Sequence, residues 1–310
     1  MVKPVKLLFI LCIVFYSCEY LYAPERIIVA IVKTRDNDSY NKAITGFSDF
    51  FAEKNIAIWS SIHDLNGKKE NSNSVYKQLQ NSRPDVILTL GTLASQTATE
   101  EINDIPIISC IVMKSFFANR RQNSSGVAID IPVEHKFDML EKIIPGKKRV
   151  GLIYSRKNKE LAEKYLAVSK KKNFILISRE TLSEKEIPEI FKDLHWRIDA
   201  LLMAPDPLAY TTHSIKYIVI ACLKNRIPLI GLSTPYTGSG ALFSLDSDCE
   251  EMGHQAGEMA LKVIMNTDIG SIPIALPRKL ILSINLFTAK QIGLNVPDEV
   301  IRQADKIFKK

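Results

Sequence analysis

The sequence predicts an α/β protein of two similar doubly wound lobes with mainly parallel sheets and a ligand cleft between the lobes. Three observations carry this. Short apolar runs alternate with segments of helical period from Ile27 to Ile284, and such alternation builds a parallel sheet with helices on both faces. The alternation occurs twice, interrupted by a polar stretch, Met113 to Gly126, and a break at Pro132. No low-complexity linker separates the halves and no short-period repeat is present. Several chain crossings therefore join the lobes.

Ile27–Val32 reads as the first strand, followed by a polar loop, Thr34 to Ser39. Asn41 to Asn55 is a helix because Ala43, Ile44, Phe47, Phe50 and Phe51 recur at helical spacing. Ile56–Ser60 is the second strand, Asn66 to Ser74 a loop, and Val75 to Asn81 a helix. Val86–Leu90 is a nearly continuous apolar run, as in a strand buried on both faces. Gly91-Thr92 breaks it, and Leu93 to Glu101 is a helix starting at the strand's C-terminal end. Pro106–Val112 and Val127–Ile131 complete the first set of strands.

The second set begins with a helix, Glu134–Ile143, then strand Arg149–Tyr154 and helix Lys159–Lys171. Strand Phe174–Ser178 precedes helix Ser183–Asp193, where Ser183 and Glu186 have capping-box spacing. Strand Ala200–Ala204, helix Thr211–Asn225 and strand Pro228–Leu232 follow. Ala241–Leu245 is a strand running back toward the first lobe, and Cys249 to Met265 is a helix. Gly253 and Gly257, four apart on one face, let that helix pack closely. Leu280–Ile284 is the last strand, and Phe287–Gly293 and Asp298–Ile307 are terminal helices.

The 310 residues are 46% hydrophobic and 24% charged, enough apolar material for two packed lobes. Of the formal charge of +7, Lys3 and Lys6 contribute two. The excess is dispersed, with no dense stripe apart from Lys170–Lys172, so no nucleic-acid surface is expected. Lys3 and Lys6 precede an apolar run, Leu7 to Tyr16, then Ser17-Cys18. The run is shorter than the ~20 residues of a membrane-spanning helix and fits an export signal. Phe15-Tyr16-Ser17-Cys18 resembles a bacterial lipobox, with bulky Phe15 and Tyr16 as departures. Two cleaved endings stay open, ahead of an uncleaved anchor for which the run is short: a lipoprotein leader over residues 1–17 that leaves Cys18 lipidated, and a signal peptide over residues 1–23. Either places the protein in the periplasm or on the outer face of a bacterial membrane. Cys110, Cys222 and Cys249 remain beside Cys18, with no disulfide framework or zinc spacing. Cys110 and Cys222 read as buried thiols, and a Cys222–Cys249 pairing stays open.

Catalytic signatures are missing. There is no G-x-x-x-x-G-K-[ST], G-x-G-x-x-G or G-x-S-x-G, and His63, His135, His195, His213 and His254 lack metal-ligand spacing. No catalytic residue, metal or cofactor is expected, and the protein is not read as an enzyme. Polar residues instead recur where parallel strands end: Asp36 to Tyr40, Gly91-Thr92, Ser115, Tyr154-Ser155, Pro205-Asp206-Pro207 and Ser233 to Tyr236. Ligands bind at this end of an open parallel sheet. Gly91 permits close backbone approach, and Thr92 adds a hydroxyl for the helix cap or a small anion. Converging on one cleft, these groups make a site for a small polar solute or zwitterion.

The ordered set resembles the substrate-binding proteins of bacterial ABC importers, of the tryptophan/tyrosine-binding lipoprotein type. Pro84 to Thr97 is similar to that family's PD-hydrophobic-GT-x-A element. Lys147 to Tyr154, Asp199 to Asp206, Arg226 to Gly231, Gly240-Ala241-Leu242, Gly253 to Gly257 and Ile284 to Leu294 match in the same order. The resemblance implies a type I periplasmic-binding fold with three crossings. Lobe 1 would hold residues 26–130 and 247–277, and lobe 2 residues 131–246 and 278–310. It further implies a ligand-facing Asp206. The ligand's carboxylate would then sit at Gly91 and Thr92, its amine at Asp206, and Tyr40 or Tyr236 would stack on its side chain; in the alternative reading Asp206 caps the following helix. The chain departs from the family at Met113-Lys114-Ser115-Phe116, Asn123-Ser124-Ser125-Gly126 and Asp206-Pro207, where Asp-Pro, Asn-x-Thr-Gly and Asp-Asn are usual. These are cleft positions, so the ligand need not be aromatic. The implied function is an exported solute-binding protein that serves ABC permease subunits. The alternative is a ligand-binding sensor that signals to a membrane kinase or cyclase.

Overall fold

The computed structural model describes residues 26–310. The export signal and Cys18 lie outside the described residues. In chain order the first half runs β1 (Ile27–Lys33), α1 (Asp38–Glu53), β2 (Ile58–Asp64), α2 (Glu70–Ser82), β3 (Val86–Leu90), α3 (Thr92–Glu101), β4 (Ile107–Val112) and β5 (Ser124–Ala128). The second runs α4 (Val133–Ile143), β6 (Arg149–Ser155), α5 (Lys159–Lys171), β7 (Ile175–Thr181), α6 (Ile187–Leu194), β8 (Ala200–Leu202), α7 (Thr212–Lys224), β9 (Leu229–Ile230), α8 (Thr234–Gly238) and β10 (Phe243–Ser247). Then follow α9 (Cys249–Ile264), β11 (Leu280–Asn285), α10 (Leu286–Gln291), α11 (Asp298–Gln303) and β12 (Lys306–Phe308).

The first sheet has the order β2-β1-β3-β4-β5, parallel throughout. Its side chains divide strictly between two faces. Val29, Ile31, Leu88, Leu90 and Ile108 pack with Phe47, Phe50 and Phe51 of α1 and Met252 and Ala256 of α9. Ala30, Val32, Ile87 and Ile107 pack with Tyr76 and Leu79 of α2 and Ala94 and Ala98 of α3. The period of two along each strand is what sends alternate residues to opposite cores. The second sheet has the order β12-β11-β10-β9-β8-β6-β7, parallel except for the β10–β11 pair. It too is covered on both faces, by α4 and α5 on one and α6 and α7 on the other.

Helix α9 follows most of the second lobe in the chain but packs on the first. Glycines set its distance from α1. A Cβ at Gly253 would lie 2.0 Å from the Ala43 carbonyl oxygen, and one at Gly46 1.8 Å from that of Glu250. The chain passes between lobes near residues 129–132, 247–248 and 276–279.

Several expected boundaries move, each for a local reason. β2 starts at Ile58 rather than Ile56. Asn55 takes a left-handed conformation (φ 55°), its N–H bonds to Ala52, and Ile56 N–H bonds to Phe51, so Ile56 closes the helix in a Schellman motif. The same motif at Asn173 takes Phe174 from β7. α2 starts at Glu70, inside the stretch read as a loop, and Ser72 Oγ donates to the Lys69 carbonyl. β5 starts at Ser124 rather than Val127 because Ser125 Oγ reaches the Ile272 carbonyl, so two serines and a glycine are buried as strand. The capping box expected at Ser183 does not form. Glu186 instead accepts from Leu182 N–H and Thr181 Oγ1, and α6 begins only at Ile187. A capping box forms at Thr211 and Ser214. The last predicted helix stops at Gln303, and Asp305 pins the remainder as β12 through Leu282. Cys110 and Cys222 are buried free thiols; Cys249 is also free and belongs to the other lobe from Cys222, so the two do not pair.

Candidate functional site

A cleft of about 1420 Å³ lies between the lobes, floored by the three crossings. Lobe 1 contributes the start of α1 (Asp38, Ser39, Lys42) and the turn Met113 to Ala118. Lobe 2 contributes Lys136 of α4, the start of α5, Pro205, and Leu232 to Pro235. Among the described residues, the hydrogen bonds and ion pairs that join the lobes cluster at the crossings. Ser247 Oγ donates to the Ile129 carbonyl (2.9 Å), and Lys279 pairs with Asp248 (2.8 Å). The two walls are therefore free of direct polar links, and the cleft is open.

The walls are shaped by strand ends. Ile111 holds φ 58°, unusual for a β-branched residue, at a bulge between Cys110 and Val112 of β4. The bulge redirects the chain so that Met113 to Ser115 face the cleft. Asp130 accepts from Lys114 N–H (2.5 Å) and fixes that turn. Across the cleft, Asp246 accepts from Thr234 N–H (2.5 Å). Asp248 caps α9 through Glu250 and Glu251 N–H. Burial pushes the Asp248 carboxyl up, but Lys279 and these N–H groups outweigh it and hold it below the usual range. Three cleft carboxylates are thus committed to the scaffold.

The expected site residues separate into two groups. Ser115 and Ser233 line the cleft from opposite walls. Ser233 opens α8 without using its hydroxyl as a cap, so that hydroxyl is available to a ligand. Tyr40, Gly91, Thr92, Asp206 and Tyr236 lie outside the lining. Gly91 does need to be glycine, with φ 86° and the Tyr40 hydroxyl 2.0 Å from where a Cβ would stand. That contact turns Tyr40 toward Gly91, against the lobe 1 core. Thr92 is exposed and caps nothing; Thr34 Oγ1 takes the Ala94 N–H instead (3.1 Å). Tyr236 packs on the lobe 2 core rather than over the cleft.

Asp206 lies in the scaffold rather than on the lining. It is only 3% exposed, and its carboxylate accepts from the backbone N–H groups of Ser155 (2.6 Å), Leu208 (3.1 Å) and Ala209 (3.1 Å). Burial pushes this carboxyl up, but those N–H bonds and the Asn158 side chain hold it below its ordinary value. It ties the end of β6 to the loop after β8 and has no face left for a ligand amine. The residue the sequence reading missed is Lys136. It is 5% exposed, lines the cleft, and lies in α4, where its spacing mimics a core position.

Comparison with known proteins agrees with this architecture. The family model described as ABC transporter substrate binding protein matches residues 28–308. A tyrosine-binding protein of Clostridioides difficile is 23% identical over 280 residues, covering 86% of this chain and 81% of that protein. Among solved structures, the ligand-free, open form of a Clostridium difficile substrate-binding protein with adhesive properties superposes with TM-score 0.80 at 19% identity, over 91% of this chain and 99% of that one. A Streptococcus pneumonia ABC domain in complex with L-Trp gives TM-score 0.64 at 19% identity, over 92% and 100%. The two parallel sheets, the three crossings and the cleft between them are those of a type I periplasmic-binding fold, and the chain belongs to the ABC transporter substrate-binding protein family.

Proposed function

We propose that the protein is the exported solute-binding component of an ABC importer and that its solute is an amino acid or related zwitterion. The observation that carries this is the open cleft, with hydroxyls of Ser115 and Ser233 on opposite walls and charged groups of both signs between them. A solute that bears a carboxylate and an amine matches such a lining. Closure of the lobes about the three crossings brings the walls onto it, and the closed form is what a permease reads. The tyrosine- and tryptophan-binding relatives support an amino acid without fixing which one. Among the described residues no helix is long and apolar enough to cross a membrane. In this reading membrane attachment comes from lipidated Cys18.

The test is a thermal-shift screen of the twenty L-amino acids, followed by calorimetry on each hit and uptake of that labelled amino acid by cells with and without the gene. A ligand that binds only the folded protein raises its melting temperature. A shift by one amino acid or a small group, with uptake lost in the deletion strain, is the expected result. Flat melting curves across the panel would remove the amino-acid reading. Binding with unchanged uptake would remove the import role.

A further inference from the structure

Two charged residues are buried among the described residues, Asp206 and Lys136. Their surroundings differ sharply. Asp206 has three backbone N–H donors on its carboxylate, and nothing about it is left over. Lys136 Nζ donates one long hydrogen bond, 3.4 Å, to the Met203 carbonyl. No carboxylate among the described residues forms an ion pair with it; Asp246 is close enough to favour its charge, but Asp246 is itself bonded to Thr234 N–H. A buried ammonium with one weak acceptor is costly to the fold. Such a group persists where something outside the chain completes it.

The place of Lys136 says what that is. Met203 follows β8, and Lys136 lines the lobe 2 side of the cleft with Pro205 and Ser233. The other lysines on the cleft are exposed, so their charges are met by water. Lys136 alone among them is buried, in surroundings where an ion pair is stronger than in bulk water. We propose that Lys136 is the anchor for the ligand's anionic group, so that the carboxylate of the bound solute rests on the lobe 2 wall against Nζ. This rests on the reading of the cleft as a solute site and deepens it. It moves the carboxylate from Gly91 and Thr92, which lie outside the lining, to the opposite lobe.

The experiment uses the mature chain and its Lys136→Met and Lys136→Gln variants, with melting curves confirming that each folds. Probes are the twenty L-amino acids, the decarboxylated amine of each amino acid that binds, and four carboxylic acids without an α-amine: succinate, lactate, 4-hydroxyphenylacetate and indole-3-acetate. The expected result is an amino acid whose Kd rises on the order of a hundredfold in both variants, while its decarboxylated amine binds parent and variants alike. If an amino acid binds parent and folded variants within about threefold, the anchor is wrong and the amino-acid reading survives. If only the amine-free acids bind, and do so through Lys136, the anchor holds and the amino-acid reading falls. If no carboxylate-bearing probe binds, both fall.

Discussion

Replacing Lys136 by methionine should make the empty protein more stable. Desolvation pulls the Lys136 ammonium from an ordinary value of 10.5 down to about 8, with Asp246 opposing the shift. Below about pH 8 the group is protonated in the folded and unfolded chain alike, so the folded state bears the whole cost of the buried charge. Between about pH 8 and 10.5 the unfolded chain binds more protons than the folded one, so stability rises with pH. Above that range both states are neutral and the cost is gone. At 1.36 kcal/mol per pH unit, the interval corresponds to about 3 kcal/mol. Methionine has similar length and no charge, and it fills irregular space well. Lys136→Met should therefore gain about 3 kcal/mol at pH 7. At about 2 cal/mol/K per residue of unfolding entropy, that is about 5 °C in Tm. The advantage should shrink toward zero by about pH 10.5. Urea unfolding at pH 7 and at pH 10, without ligand, checks both points. A variant that is less stable than the parent at pH 7 would refute the reasoning, because the ammonium would then be stabilising the empty fold.

Further outcomes follow from the same contacts. Asp206→Asn should lower stability by about 1–3 kcal/mol, because an amide cannot accept all three N–H bonds; as its folded pKa is depressed, the carboxylate's contribution is present above about pH 4 and fades as pH falls through the folded value, so acid unfolding of the variant should be less steep. Gly253→Ala should cost about 1–3 kcal/mol or more in urea unfolding, since the new methyl meets the Ala43 carbonyl at 2.0 Å; an unchanged midpoint would mean α1 and α9 separate freely. Small-angle scattering should give a smaller radius of gyration with saturating ligand, and an unchanged curve would argue against closure. Cys18→Ala should release the protein from membranes, whereas an unlipidated N-terminus at Pro24 in the parent's intact mass would end the lipoprotein assignment.

Much of the architecture was legible because strand and helix periods are strong signals. Apolar continuity marks Val86–Leu90 and the second alternation marks Arg149–Tyr154, and both stand within a residue of the observed strands. The boundaries that moved were decided by groups with no periodic signature. Asn55 and Asn173 in left-handed caps took the next apolar residue from its strand. Ser124 and Ser125 joined a strand because a distant carbonyl, Ile272, was there to accept. The site was less legible for a related reason. Polar residues at strand ends mark where a cleft lies, but not which of them the scaffold has already used. Asp206 looked free in sequence and is saturated by backbone N–H groups. Lys136 carries no mark of a site in the sequence, and it is buried with one weak partner. Hydrogen-bond satisfaction is a three-dimensional quantity, and one chain read alone carries little trace of it.

The placement of α9 on lobe 1 governs the order in which the molecule can be completed. Residues 27–128 supply the whole first sheet, yet the cluster around Phe47, Phe50 and Phe51 is incomplete until Met252, Ala256 and Met259 arrive. By then nearly all of lobe 2 has been made. Lobe 2 is left open in turn, since β11 and β12 come only after α9. Neither lobe is a contiguous piece that could be cut out with its core intact. A chain emerging from the ribosome therefore remains unfinished in both halves until its last forty or so residues are free. Truncation before α9 should yield not a smaller binding protein but an aggregating one, with the apolar surface that α9 covers on lobe 1 left bare.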